Sequence, residues 1–140
     1  MPCALPDGLA QQARNAAIKL ARALDYVGVL AVEFFVINET GEHHLLVNEF
    51  APRVHNTGHW TMDACLCSQF ENHMRAVAGW PLGSADRHSD AVMTNLLGED
   101  VLEWPSLAAQ PDLAVHLYGK LGVEAGRKLG HKTQISAKNR

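Results

Sequence analysis

Two neighbouring apolar runs, at residues 27–37 and 45–50, constrain the fold of this chain more than any other feature. Both are rich in β-branched and aromatic residues, and the segment between them, residues 38–42, contains the Asn, Thr and Gly expected of a turn. The pattern predicts a β-hairpin. Apolar residues stand at even and odd positions alike, with Val32, Phe34, Val36 and Leu46 predicted on one face and Phe35, Ile37, Leu45 and Val47 on the other. A hairpin that is apolar on both faces belongs inside a layered structure or at an interface.

The register of this hairpin predicts a pair of opposed carboxylates. If the turn is centred on Gly41, cross-strand partners have residue numbers that add up to 82, which places Glu33 opposite Glu49. Opposed like charges are tolerated when they are solvated, when one is protonated, or when a cation lies between them. Carboxylate oxygens favour magnesium, calcium or manganese. A metal site and a solvated pair at a sheet margin both remain open from the hairpin alone.

The segment after the second run, residues 51–61, has no periodicity of a helix or a strand but carries several polar side chains. It contains Arg53, His55, Asn56 and His59, a set of hydrogen-bond donors beside the predicted carboxylates. Such a set is suited to anion recognition. The alternative is that Arg53 pairs locally with an acid and the histidines only pack.

Composition is that of an ordinary globular chain. Its 140 residues suit one domain, with 47% hydrophobic and 19% charged residues and a net charge of −3. These values favour neither a nucleic-acid nor a membrane partner. The N-terminus lacks a basic region followed by an apolar core, so no signal peptide is predicted and a cytoplasmic location is expected.

The cysteines predict neither disulfides nor a zinc site. They are Cys3, Cys65 and Cys67, an odd number with one close pair, and reduced thiols are expected. Four histidines lie near the pair in sequence: His43, His44, His55 and His59. Because Cys-x-Cys lacks the usual gap of structural zinc sites and no second ligand pair matches it, no zinc is predicted.

The remaining pattern predicts helices and short strands. Helices are predicted at residues 7–25 and 68–78, strands at 91–97 and 114–118, a short helix or turn at 99–107, and a fraying tail at 132–140. The glycine-rich basic stretch 119–131 is suited to an exposed phosphate site, although such turns also occur on plain surfaces.

Four segments together make the chain recognisable: residues 26–35, the string Asn-Glu-Phe-Ala-Pro-Arg-Val-His-Asn-Thr-Gly-His-Trp-Thr at 48–61, residues 68–71, and Gly-Arg-Lys-Leu-Gly-His at 126–131. They closely resemble the 5-(carboxyamino)imidazole ribonucleotide synthetases (PurK, the ATPase subunit of phosphoribosylaminoimidazole carboxylase), ATP-grasp ligases of purine biosynthesis. The resemblance covers residues 8–133 and is to the C-terminal portion of the family. It implies an α+β fold, with the C-terminal part of an ATP-grasp core at 1–82 and a small β-rich subdomain at 83–140.

The resemblance also implies an activity. Family members join bicarbonate to aminoimidazole ribonucleotide, using ATP as co-substrate with Mg²⁺ and passing through carboxyphosphate. The N-terminal domain and the ATP-grasp lid are absent from these 140 residues, so we expect them on the same gene or a separate chain. The isolated chain is expected to be inactive, and the full-length family is expected to form homodimers.

Site residues carry over by position. Glu33, Asn48 and Glu49 resemble the ATP and metal ligands; Arg53, His55 and Asn56 resemble the bicarbonate and carboxyphosphate site; Lys120, Arg127 and Lys128 resemble the contacts to the substrate phosphate. Two departures stand out: Thr57 replaces a serine, and Glu124-Ala125 replaces Arg-Pro. The second puts an anion beside the phosphate site. A non-catalytic remnant or interaction module is the alternative, with an isolated metal-binding protein that uses the His and Cys residues third.

Overall fold

The computed structural model describes Leu5, residues 7–39 and residues 41–139. Its helices and strands are α1 (Asp7–Ala23), β1 (Ala31–Glu39), β2 (Glu42–Ala51), α2 (Thr61–Ala64), α3 (Gln69–Val77), β3 (Ser89–Leu97), α4 (Trp104–Ala108), β4 (Leu113–Leu117) and β5 (Lys128–Ala137), with 3-10 helices at Asn56–Gly58 and Gly98–Glu103. Helices combine with antiparallel sheets, which confirms the predicted α+β class. The chain divides into two compact units: a first unit of residues 1–58 and 69–83, and a second unit of residues 59–68 and 84–140.

In the first unit, α1 packs on the β1–β2 hairpin. The helix has one apolar stripe, and Leu9 on that stripe is buried. The predicted helix extended to Asp25, but the observed helix ends at Ala23. Asp25 has a φ of 46°, in the left-handed region that ends a helix.

The hairpin is confirmed, but its predicted register is wrong near the turn. Glu39 pairs with Glu42, so partner numbers there add up to 81 rather than 82. Phe35 therefore lies opposite Leu46, and the apolar residues of β2 lie on the faces opposite to those predicted. A β-bulge then shifts the register by one residue. Phe34 pairs with Val47 and Glu33 pairs with Glu49, so Asn48 of β2 has no partner residue in β1. Runs that are apolar at even and odd positions alike cannot reveal such an extra residue.

The second unit is built on an antiparallel sheet with the strand order β3–β5–β4. The strands predicted at 91–97 and 114–118 are present, with ends shifted by one or two residues. The fraying tail predicted at 132–140 is wrong, because Lys132–Ala137 belong to β5, the central strand. Two of its polar residues, His131 and Thr133, are buried, Thr133 completely, whereas Lys128 and Ser136 are exposed. Arg140 lies outside the described residues.

Gly130 permits the pairing of β4 with β5. A Cβ at this position would lie 2.5 Å from the backbone carbonyl oxygen of His116, too close for any side chain. The apolar core beside the sheet is formed by Leu96, Leu107 and Leu129. None of the helices in the described part of the chain combines the length and apolar character needed to cross a bilayer.

Candidate functional site

Glu33 and Glu49 are direct cross-strand partners in the first unit. The sequence predicted this opposition, although from a register that is wrong nearer the turn. The bulge at Asn48 makes up the difference, because it adds one residue to β2 between the turn and Glu49. The two carboxylates therefore belong to adjacent strands at the end of the hairpin far from the turn.

Two neighbours hold the Glu33 carboxylate. Asn48 donates from Nδ2 to Oε2 at 3.4 Å, and Nε2 of His55 lies 3.4 Å from Oε1. The His55 side chain is only 12% exposed, whereas that of Glu33 is 39% exposed. Glu33, Glu49 and His55 each present a ligand atom, and these atoms all lie within 4.8 Å of one another. A buried imidazole therefore fixes a carboxylate that stays open to solvent.

The hydrogen bonds of His55 indicate which tautomer is present. The Thr57 backbone N–H donates to Nδ1 at 3.5 Å, and the Thr57 hydroxyl lies 3.0 Å from the same atom. If Nδ1 accepts, the proton of the neutral ring is on Nε2, facing Glu33. The hydroxyl that distinguishes Thr57 from an aliphatic residue thus orients the imidazole, as the serine of the family could.

Gln69 fixes the backbone of His55. Its Oε1 accepts from the His55 N–H at 3.0 Å, and its Nε2 donates to the His55 carbonyl at 2.7 Å. The amide also lies against Gly58, where a Cβ would come within 2.5 Å of Oε1. From the sequence, Gln69 was predicted only as part of a helix start. Its position in a recognisable motif was the only available signal, because the contacts span fourteen residues of chain.

The other predicted catalytic residues lie in the same loop. Arg53 is exposed, and its Nη1 donates to the Val54 carbonyl at 2.9 Å. Asn56 is half-buried and opens the 3-10 helix that also contains Thr57. The structure thus joins Glu33, Asn48, Glu49 and His55 into one cluster, and it places the Arg53 guanidinium on its own loop.

The predicted phosphate contacts lie in the second unit. Lys120 donates from Nζ to the Lys128 carbonyl at 2.9 Å, and the same nitrogen is 5.5 Å from the centre of the Tyr118 ring. Arg127 donates from Nη1 to the Leu121 carbonyl at 3.2 Å and to Oε1 of Glu124 at 3.3 Å. Glu124, which stands where the family has arginine, therefore pairs with a predicted phosphate ligand.

The second unit also contains a cluster that the sequence did not predict. His131 is 1% exposed and lies opposite His116 in the β4–β5 ladder, with the two rings stacked at 4.5 Å. Burial, together with the neighbouring His116 and His59, lowers the pKa of His131 to about 4. Nε2 of His116 lies 2.9 Å from Oδ1 of Asp63. His131 was recognised in sequence only as part of a motif.

The two cysteines in the described part of this unit are buried and free, as expected of reduced thiols. Burial raises the pKa of the Cys65 thiol, with the carboxylate of Asp86 adding to the effect. A thiol in this state is neither a ready metal ligand nor a nucleophile. Cys3 lies outside the described residues.

Comparison with known proteins places the two halves of the chain in recognised families. Residues 1–70 match the ATP-grasp domain, and residues 91–140 match the phosphoribosylaminoimidazole carboxylase C-terminal domain. The chain belongs to the ATP-grasp family. The first match contains the Glu33–Glu49 cluster and the second contains Lys120, Arg127 and Lys128.

Its similar relatives include N5-carboxyaminoimidazole ribonucleotide synthases, as the sequence motifs indicated. The chain is 56% identical to the one from Brucella melitensis over 96% of its own length and 36% of the relative's, and 48% identical to that of Bacillus subtilis over 95% and 34%. It therefore spans about a third of the length of these curated relatives.

Solved structures show the same similarity. The synthetase from Thermus thermophilus superposes with a TM-score of 0.80 at 45% identity, covering 96% of this chain and 36% of that one. The synthase from Aspergillus clavatus, in complex with ADP and 5-aminoimidazole ribonucleotide, gives 0.83 at 30% identity, covering 96% and 37%. The family members thus share the fold described above.

Proposed function

We propose that this chain is the C-terminal catalytic portion of an ATP-dependent carbon–nitrogen ligase that carboxylates aminoimidazole ribonucleotide with bicarbonate in the cytoplasm. The observation that carries the proposal is the cross-strand opposition of Glu33 and Glu49 beside His55, within the segment that matches the ATP-grasp domain. Residues 1–82 would complete an ATP-grasp core and residues 83–140 a small C-terminal subdomain. ATP-grasp and N-terminal segments, on the same or another chain, would supply the remaining ATP contacts, and the full enzyme would be a homodimer.

The donor set fits a magnesium ion bound with ATP. Mg²⁺ prefers oxygen ligands and is held by one or two carboxylates together with substrate phosphates. Glu33 and Glu49 supply the carboxylates, while the Asn48 amide and the His55 imidazole hold Glu33 in place. When bound, the ion would neutralise the charge of the ATP phosphates. Two opposed carboxylates without such a charge would instead repel each other.

Arg53, His55 and Asn56 are assigned to bicarbonate and to the carboxyphosphate formed from it. Arg53 is exposed and carries a planar pair of donors that matches a carboxylate or bicarbonate. In the proposed reaction it would move from the Val54 carbonyl to the anion and stabilise charge on the transferred group. His55 holds its loop against the Glu33 carboxylate, which would keep the bicarbonate site close to the metal-bound ATP.

Lys120, Arg127 and Lys128 are assigned to the 5′-phosphate of the ribonucleotide. One observation favours the alternative of a non-catalytic remnant or interaction module: the Arg127 guanidinium already donates a hydrogen bond to the Glu124 carboxylate. The ion pair is exposed, with the Glu124 side chain 72% exposed, so it contributes little to stability. A phosphate dianion could therefore displace Glu124 from the Arg127 guanidinium. We therefore expect weakened substrate affinity and not loss of function.

The test is a full-length enzyme in which the N-terminal two-thirds come from the B. melitensis relative and the C-terminal third is this chain. We expect ADP release that depends on both bicarbonate and aminoimidazole ribonucleotide, and none from the 140-residue chain alone. Glu49→Gln should lower kcat by at least about a hundredfold while the fold is kept, because its charge serves the metal. The matched control is Glu42→Gln, an exposed residue of the same strand, which should stay within about twofold.

Two results would contradict the proposal. Near-normal turnover by the Glu49→Gln enzyme would show that Glu33 and Glu49 do not together bind the metal ion. A chimera that folds and binds ATP but shows no bicarbonate-dependent turnover would favour the interaction module.

A further inference from the structure

The inference concerns the polar cluster of the second unit that is formed by Asp63 of α2, His116 of β4 and His131 of β5. His116 and His131 are direct cross-strand partners, and their rings stack with an interplanar angle of 20°. Nε2 of His116 lies 2.9 Å from Oδ1 and 3.1 Å from Oδ2 of Asp63. Each of the three side chains offers a ligand atom, and these atoms lie within 4.8 Å of one another.

His131 is the unusual member of the cluster. It is 1% exposed, and its Nε2 is buried without a hydrogen-bond partner. Its other nitrogen, Nδ1, lies 2.8 Å from the Tyr118 hydroxyl. If Nδ1 carries the proton and donates it to that hydroxyl, Nε2 presents a lone pair. A buried acceptor with nothing to accept from is uncommon in folded proteins and indicates a missing partner.

The surroundings resemble those of a histidine prepared to bind a metal. Metal-bound imidazoles usually donate their second N–H to an oxygen, which fixes the tautomer and the ring orientation, and Tyr118 occupies that position. His116 and Asp63 are partly accessible, with side chains 27% and 11% exposed, so an ion could reach the cluster.

We propose that Asp63, His116 and His131 bind a divalent transition-metal ion of the zinc class. Two imidazoles and one carboxylate are ligands that suit zinc, and three protein ligands leave a fourth position for water. The ion would replace the hydrogen bond between His116 and Asp63, with the His116 proton moving from Nε2 to Nδ1. Ligand atoms 2.0–2.2 Å from a tetrahedral zinc lie about 3.4 Å from one another, so the three donor atoms, now within 4.8 Å of one another, would draw closer on binding the ion.

This site is independent of the proposed ligase function, and its ligands differ from the cysteines that were considered in sequence. It would join α2 to the β4–β5 sheet and so stabilise the second unit. No sequence spacing could predict it, because Asp63 and His116 are 53 residues apart.

The first test is zinc binding by the complete 140-residue chain, stripped with a chelator and titrated against a chromophoric competitor. We expect one ion per chain, with affinity lowered at least about tenfold in His116→Gln and in Asp63→Asn. The matched control is His88→Gln, an exposed histidine of the same unit that should bind as the wild type does. Glu49→Gln controls for the carboxylate cluster of the first unit and should also be unchanged.

Absence of zinc binding at concentrations up to about 100 µM, which would put the Kd near the millimolar range, would overturn the proposal. So would equal affinity in wild type and His116→Gln, or loss of binding in Glu49→Gln. A second measurement keeps the test valid if a variant fails to fold: long-range ¹H–¹⁵N spectra of the wild-type imidazoles. Zinc should shift Nε2 of both His116 and His131, whereas unshifted Nε2 signals would refute the site.

Discussion

Replacing Gly58 by alanine should release His55 from the position that the Glu33–Glu49 cluster requires. An alanine Cβ would lie 2.5 Å from Oε1 and 2.8 Å from Cδ of Gln69, far inside contact distance. Gly58 does not have the positive φ that disfavours alanine, so the cost comes from this contact alone. The amide is the end of a flexible side chain and can move away. Moving breaks the two hydrogen bonds that Gln69 makes to the His55 backbone.

The magnitude follows from those two bonds. Each contributes about 1 kcal/mol net, so Gly58→Ala should lower the free energy of unfolding by about 2 kcal/mol. For a chain of this size that corresponds to a melting temperature lower by roughly 6–8 °C. Gln69→Ala should cost about 2–3 kcal/mol, since it loses the same bonds and some packing. In the double variant the alanine at 58 has no amide to displace, so its additional cost should be near zero.

The assay is urea unfolding of the four proteins of this double-mutant cycle, with Gly8→Ala as the control glycine. Gly8 lies in α1 with nothing within 4 Å of an added Cβ, so its replacement should be neutral or stabilising by up to about 1 kcal/mol. The imidazole NMR signals of His55 should move in both single variants. Additive costs for Gly58→Ala and Gln69→Ala would refute the reasoning, as would a Gly58→Ala cost below about 0.5 kcal/mol, the usual error of additivity.

Two further predictions concern the rest of the chain. The pKa of His131 is about 4 in the folded state against 6.5 for an unperturbed group, so the unfolded state takes up a proton first as pH falls. In the presence of a chelator, the free energy of unfolding should therefore decrease by up to about 3 kcal/mol between pH 6.5 and pH 4. Urea unfolding that gives the same free energy across this pH range would contradict the prediction. Phe35 and Leu46 share one face of the hairpin and are 56% and 54% exposed, so the isolated chain should self-associate at micromolar to millimolar concentration. Sedimentation velocity should show more monomer for Leu46→Lys but not for His44→Lys on the same strand, and a strictly monomeric wild type would show the prediction to be wrong.

Much of the first unit could be predicted because its signals are local. Two neighbouring runs rich in β-branched and aromatic residues, with a glycine turn between them, predict a hairpin from the local sequence alone. The opposition of Glu33 and Glu49 was also predicted, yet the reasoning succeeded only because an extra residue at Asn48 corrected a register that was wrong by one. A bulge is set by how the strand bends against its neighbours, which the local residue pattern does not record.

The second unit shows where sequence patterns fail. The segment Lys128–Ala137 is polar and carries glycine, so it resembled a loop followed by a frayed tail. It is the central strand because β3 and β4 hydrogen-bond to its two edges, and two of its polar residues, His131 and Thr133, are buried in the fold. Such a strand is specified by its partners and not by its own composition.

The sequence by itself determined the family and the hairpin, because these depend on neighbouring residues and on strings of specific side chains. It also predicted the carboxylates and loop residues that we propose for the chemistry. Only the tertiary structure decided which groups meet across long stretches of chain: Gln69 on the His55 backbone, and Asp63 beside His116 and His131. The lowered pKa of His131 is of the same kind. Burial and charge proximity depend on distances in space, and those distances are fixed only when separate segments pack together.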